Sequence, residues 1–238
     1  MPTHWSNILP AAGPYRWTML GAIAISAVFW YVRSKRDPEM LPVYIGALGG
    51  AFLGAKLLYI LAEGWRDWPM EDRWLRLATG KTVLGGLLGG YAGVELMKWL
   101  VGYKKSTGDA FALITPLGIA LGRVGCCLQG CCIGKPTTMK LFAVRDSIGI
   151  ARWPSAQIEL VFQLTMFAII FVLRKQKRWH GRLIFLYFVC YGIFRFLHEW
   201  MRDTPKIFLD ISVYQIAALV TAVIGAVMLV RRRRTAIA

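Results

Sequence analysis

Charge is scarce in this sequence. Asp, Glu, Lys and Arg make up 18% of its 238 residues, with only 13 acidic residues and 3 histidines. Hydrophobic residues make up 56%, and they come in long blocks, which argues for a membrane protein over one or two soluble domains. The shortage of acid leaves a net charge of +16. The basic residues punctuate the ends of the apolar blocks instead of covering a soluble face, so nucleic acid is set aside as a partner. Low-complexity sequence is missing, and no repeat stands out. A cleavable leader is not visible either: the N-terminus lacks a charged region, and the first apolar block is followed by Arg33, Lys35 and Arg36, not by small residues. That block reads as a spanning anchor.

A spanning helix needs about 20 mostly apolar residues. Seven stretches approach or exceed that length, over about 16–33, 40–62, 82–102, 108–126, 156–173, 183–199 and 210–230. The expected fold is therefore all-α, a single polytopic transmembrane domain over residues 1–238. Its orientation follows from the short loops. With the N-terminus outside, the inner loops collect Arg33, Lys35 and Arg36, then Lys104 and Lys105, then Arg174, Lys175, Lys177, Arg178 and Arg182, and finally the tail Arg231–Arg234. The outer segments carry both signs, as in Glu63, Arg66, Asp67, Glu71, Asp72, Arg73 and Arg76. An even number of spans would put Arg174–Arg178 outside, against the rule. Seven spans, N-terminus outside and C-terminus cytoplasmic, is the expectation.

Charges inside spans are expensive and point to function. Lys56, Arg123 and Arg195 sit in the second, fourth and sixth spans. At 1.5 Å per residue each climbs roughly 20–24 Å of a hydrocarbon core about 30 Å thick, so the three share a level in the outer third. Arg195, Glu199 and Arg202 are spaced i, i+4, i+7 on one helix face, with His198 beside them. Cations at one depth repel unless an anion joins them. A phospholipid phosphate suits that depth, and arginine presents a fork matched to its oxygens; snorkelling to the headgroups is the other reading, favoured for Arg202 alone. Glu159, Glu199 and His198 are the candidates for a general base.

Two glycine-rich features accompany these charges. Gly46, Gly50 and Gly54 in the second span, and Gly85, Gly86, Gly89, Gly90 and Gly93 in the third, carry small residues at four-residue spacing. They read either as close helix packing or as backbone open to a lipid headgroup. The fourth span runs into Gly122-Arg123-Val124-Gly125, followed by Gly130 and Gly134. Its glycines are expected to break the helix and free backbone N–H groups for an anion nest beside Arg123.

Cys126, Cys127, Cys131 and Cys132 cluster where this span ends, and Cys190 lies in the sixth span as a small core residue. Four cysteines within seven residues do not match zinc pair spacing, and no histidine is close in sequence, so no metal is expected. An outer face is oxidising, which favours a disulfide joining Cys126 or Cys127 to Cys131 or Cys132; a reactive or acceptor thiol is the other reading.

These residues resemble the prolipoprotein diacylglyceryl transferase family along nearly the whole chain. Gly122, Arg123, Gly125 and Gly134 match its signature. Gly54-Ala55-Lys56-Leu57-Leu58-Tyr59 is similar to a family stretch that has Arg where Lys56 stands, and Gly85-Gly86 matches its Gly-Gly segment. Gly108-Asp109, Pro116, Pro154-Ser155 through Glu159, and Tyr191 through Glu199 with Arg202 fall on further family elements. The resemblance implies transfer of a diacylglyceryl group from phosphatidylglycerol to a lipoprotein cysteine thiol, with release of glycerol 1-phosphate, in the bacterial inner membrane. It implies no cofactor. Arg123, Arg195 and Glu199 would be catalytic. Lys56, Gly122, Arg123, Gly125, Gly134, Arg195 and Arg202 would hold the lipid phosphate. Cys126 and Cys131 stand where the family has Asn and Glu, and Leu84, Trp153 and Thr18 replace two His and a Tyr. The phosphate-binding half is retained and the acceptor half has changed, so a lipoprotein precursor or a different membrane acceptor is expected. A transporter using the same basic cavity, and a thiol redox protein built on Cys126–Cys132, are the readings from other classes.

Overall fold

The structure, a computed structural model, describes residues 13–139, 141–207 and 209–235. The N-terminal stretch that bears on a leader lies outside the described residues. The chain is helical where apolar runs dominate: α1 (Pro14–Ser34), α2 (Met40–Tyr59), α3 (Trp65–Asp67), α4 (Arg73–Thr79), α5 (Val83–Leu100), α6 (Gly108–Gln129), α7 (Ser155–Lys175), α8 (Leu183–His198) and α9 (Val213–Thr235). A π-helical turn, Ile60–Gly64, joins α2 to α3. Five helices are long and apolar enough to cross a membrane: Met40–Asp67, Gly108–Gln129, Ser155–Lys175, Leu183–Met201 and Val213–Arg232. They coincide with five expected spans, and α1 and α5 fall on the other two. The helices are accompanied by a short hairpin of β1 (Val144–Arg145) and β2 (Ala151–Arg152), paired antiparallel, with Pro136 bridged to Arg152 beside it.

The chain divides into two compact units. The first comprises Met1–Val28, Leu113–Val172 and Met201–Asp203, and so holds most of α1, α6 and α7 with the hairpin. Gly125 packs under the first turn of α1: a Cβ there would lie 2.2 Å from Thr18 Oγ1 and 3.0 Å from Tyr15 Cδ2. After α6 the chain is pinned by backbone pairs, Gly134 N–H to Trp153 O, Trp153 N–H to Lys135 O and Lys135 N–H to Met201 O. In the hairpin loop, Asp146 accepts from the Ile148 and Ile150 amides and from Arg152 Nε at 2.7 Å. The Arg152 hydrogen bond holds the Asp146 carboxyl below the usual carboxylate range.

The second unit comprises Phe29–Ala112, Leu173–Trp200 and Thr204–Ala238. Its α2 and α5 run antiparallel, and the glycine ladder decides between the two readings of those residues. Gly46 faces Gly93, Gly50 faces Gly89 and Gly54 faces Gly85, so closely that an added Cβ at Gly50, Gly54, Gly85, Gly89 or Gly93 would lie 2.1–2.3 Å from a carbonyl oxygen of the other helix. The glycines serve helix packing, as small residues do where lipid offers no hydrophobic drive for association. Thr82 caps α5, its Oγ1 accepting from Gly85 N–H at 3.1 Å. Asp109 accepts from the Gly181 and Leu183 amides and so fixes the start of α8. Trp30 stacks on Tyr44 and packs against Phe111 near one end of these helices.

Candidate functional site

In the first unit the centre is Arg123. It is buried in α6, and its Nη2 lies 2.9 Å from Oε2 of Glu159, which α7 holds at zero exposure. A guanidinium in an apolar span needs a counter-charge, and Glu159 supplies it. The signal for this pair is in the sequence: Glu159 is an ionisable residue within an otherwise apolar span, with Gln163, also fully buried, one turn further on. Reading Glu159 only as a base candidate misses its pairing with Arg123.

The glycines beside Arg123 correct the expectation of a broken helix. α6 continues to Gln129, so the amides of Gly122 and Gly125 lie within it. The helix stops at Gly130, whose φ of +67 reverses the chain, and Cys131 N–H returns to Cys126 O at 3.1 Å. Gly134 gives its N–H to Trp153 O, and a Cβ there would meet Met201 O at 2.4 Å. Gly125 and Gly134 provide room for neighbouring chain, and Gly122 and Gly125 lie inside the helix, not in a nest of free N–H groups.

The thiols gather on the same face. The Sγ atoms of Cys126, Cys131 and Cys132 all lie within 4.8 Å of one another, and Arg123 Nη1 donates to Cys126 Sγ at 3.7 Å. Cys127, one residue further along the helix, points elsewhere because successive helical side chains diverge by roughly 100°. All five cysteines are free thiols, so the expected disulfide is not formed. Hydrogen bonds from Cys126 and Cys131 hold the Cys132 thiol well below the ordinary thiol range, with Arg123 and Arg202 lowering it further, while contacts with Cys126 and Cys132 push Cys131 up.

In the second unit the centre is Arg195 on α8. Its Nη1 lies 2.8 Å from Glu199 Oε2, and Glu199 is wholly buried. This i, i+4 pair is the one the spacing predicts. Glu199 Oε1 also accepts from Thr204 Oγ1 at 2.5 Å and from Ser212 Oγ at 3.4 Å, and its backbone carbonyl accepts from Lys206 Nζ. No spacing pattern brings Thr204, Ser212 and Lys206 to Glu199; the return of the chain after α8 does. His198 is buried and stacks on Phe194 at 5.0 Å. The helix does not extend to Arg202: α8 tightens into a 3-10 turn at Glu199–Met201, and Arg202 lies just beyond it.

Lys56 is employed differently from the expectation. Its ammonium donates to the carbonyls of Leu77, of Ala78 at 2.8 Å and of Gly80 at 2.9 Å. An ammonium has three N–H groups, and these three bonds use them to cap the C-terminal end of α4. Nearby, Tyr59 Oη donates to Asp67 and Tyr214 Oη to Glu63, each at 2.5 Å, across the π-helical turn.

Comparison with known proteins gives a consistent answer. The profile of the prolipoprotein diacylglyceryl transferase family matches residues 14–231. A phosphatidylglycerol–prolipoprotein diacylglyceryl transferase of Chlorobaculum tepidum is 29% identical, over 90% of this chain and 84% of its own length. Enzymes of the same name from Clostridium tetani and Bordetella bronchiseptica are each 30% identical. The alignments cover 76% and 87% of this chain, and 75% and 80% of those proteins.

Proposed function

The chain belongs to the prolipoprotein diacylglyceryl transferase family, and we propose that it moves a diacylglyceryl group from phosphatidylglycerol to the thiol of a membrane-bound acceptor, a lipoprotein precursor as in its named relatives. It acts as a single seven-span domain of the bacterial inner membrane, with the N-terminus outside and the C-terminus cytoplasmic. The observation that carries this reading is a pair of buried arginines, each held by a fully buried glutamate: Arg123 by Glu159 and Arg195 by Glu199. In the reaction the thiol proton passes to a base and sulfur bonds to the glyceryl carbon. The carbon–oxygen bond to phosphate breaks, and glycerol 1-phosphate leaves. Arg123 and Arg195 bind the phosphate and meet the charge that grows on it. Glu159 and Glu199 fix the two guanidinium groups, and Arg202 adds positive charge. Lys56 and the signature glycines support the framework.

The test is release of glycerol phosphate from headgroup-labelled phosphatidylglycerol by the purified chain. Arg123→Lys keeps a charge but loses the planar fork, and Arg195→Ala removes both; each is expected to lower release at least 100-fold while the protein elutes as the unmodified chain does. Unchanged release in both variants overturns the proposal.

A further inference from the structure

We propose that Cys126, Cys131 and Cys132 form a trigonal site for one soft monovalent cation, Cu(I). The inference does not depend on the transferase reading, because metal binding is measured without lipid. Three sulfurs converge within 4.8 Å of one another. Around a metal with sulfur bonds of about 2.3 Å, three sulfurs in a plane lie roughly 4 Å apart, so closing the site needs less than about 1 Å of movement. Cys132 is exposed, which gives both the freedom to move and a path of entry.

The backbone is shaped for this convergence. Gly130 and Cys132 both adopt positive φ, +67 and +59, although only the first is glycine. A side chain in the left-handed region costs about 1 kcal/mol or more, and here that conformation accompanies the approach of Cys132 to Cys126, six residues back in the helix. Cys127 stays out of the cluster.

The donor set selects the ion. Thiolates are soft ligands and favour Cu(I), zinc and iron–sulfur clusters. A closed zinc site takes four ligands, and among the described residues the group contains only these three thiols. Three sulfurs suit trigonal Cu(I). Arg123, donating to Cys126 Sγ, and Arg202, whose charge acts on Cys132, offset the negative charge of the bound thiolates. Each sulfur still protonated releases its proton to water as it takes the metal, a sulfur already ionised binds directly, and nothing is oxidised or reduced.

The experiment uses the full chain, purified anaerobically in detergent and titrated with Cu(I) buffered by the chelator bicinchoninate. One equivalent of Cu(I) is expected to leave the chelator. X-ray absorption is expected to show three sulfur neighbours at about 2.3 Å. Cys126→Ser, Cys131→Ser and Cys132→Ser each weaken retention at least tenfold, and Cys127→Ser and Cys190→Ser do not. Cys132→Ser keeps the test decisive where a substitution inside α6 disturbs folding, because Cys132 is exposed beyond the helix. No transfer from the chelator, equal loss in Cys127→Ser, retention of Zn(II) in preference to Cu(I), or a disulfide among the three cysteines in the anaerobic protein would each overturn the proposal.

Discussion

Replacing a single glycine of the α2–α5 ladder by alanine tests the packing directly, because the structure provides its own controls. A Cβ at Gly54 would lie 2.3 Å from Gly85 O and 2.7 Å from Gly89 Cα, and one at Gly89 would lie 2.2 Å from Gly50 O. Ordinary contact begins at 3.4 Å, and the obstructing atoms are backbone, so the helices must part by about 1 Å over at least a turn. Overpacking of this kind costs about 1–3 kcal/mol. In lipid no hydrophobic force between helices offsets the loss. A Cβ at Gly49 meets nothing within 4 Å, and one at Gly86 meets Ala51 O at 3.6 Å. At these two positions the helical preference for alanine, up to about 1 kcal/mol, is gained without a clash. Gly54→Ala and Gly89→Ala should therefore lower the thermal midpoint in detergent, and Gly49→Ala and Gly86→Ala should leave it equal or higher. Gly54 and Gly89 touch, so the first alanine opens room for the second, and the double variant should cost less than the two singles together. A midpoint for Gly49→Ala as low as that for Gly54→Ala would refute the ladder.

Glu159→Gln leaves Arg123 buried without its counter-ion and should cost about 3–5 kcal/mol in the same melt, whereas Arg123→Met with Glu159→Gln should recover part of that; equal melts for single and double variants would show that the pair is not coupled. Lys56→Met removes three hydrogen bonds from the end of α4, and amide exchange in residues 77–82 should rise while the apparent affinity for phosphatidylglycerol stays unchanged; a weaker affinity with unchanged exchange would return Lys56 to the phosphate site. Asp146 has a lowered carboxyl pKa, so its contribution is present above the ordinary carboxylate value and is lost as pH falls through the lowered one. Exchange in the hairpin, corrected for intrinsic rate, should rise only in that acidic window, and Asp146→Asn should exchange faster at neutral pH with no such step.

What the sequence shows about this fold is its one-dimensional part. Seven apolar stretches become helices within a few residues of expectation, because length and apolarity act locally and basic loops mark the ends. The pairing of Arg195 with Glu199 is equally local, a single helical turn. The glycines at four-residue spacing announce close packing, but their register across helices, 54 on 85 and 50 on 89, needs the fold. At Gly122 and Gly125 a preference measured in water suggests a helix end, yet α6 runs through both; at Gly125 the small residue makes room for a neighbour, and the start of α1 takes that room. Arg123 needs a counter-charge from another helix, and sequence distance does not say which. The thiols are the strongest instance: zinc-type spacing assumes two ligands on a turn, and here a helix end followed by two left-handed residues brings together three sulfurs that no such pattern describes.

The two arginine–glutamate pairs also bear on how the proposed reaction would be accelerated. Each pair is net neutral, so the low-dielectric interior tolerates it before lipid arrives, where an isolated guanidinium would be costly. The phosphodiester of phosphatidylglycerol carries one negative charge. As its bond to the glyceryl carbon breaks, the departing glycerol phosphate gains a second. A guanidinium already locked by a carboxylate does not have to reorganise as that charge develops, so its attraction is stronger in the transition state than toward the bound lipid, and only such a difference speeds the chemical step. The glutamates then matter through position as much as through charge. Glu199→Asp, which keeps the carboxylate but draws it back from Arg195 by one methylene, should lower the turnover of glycerol phosphate release more than it weakens apparent lipid affinity. Loss of affinity alone would mean that Arg195 grips the lipid and the transition state equally.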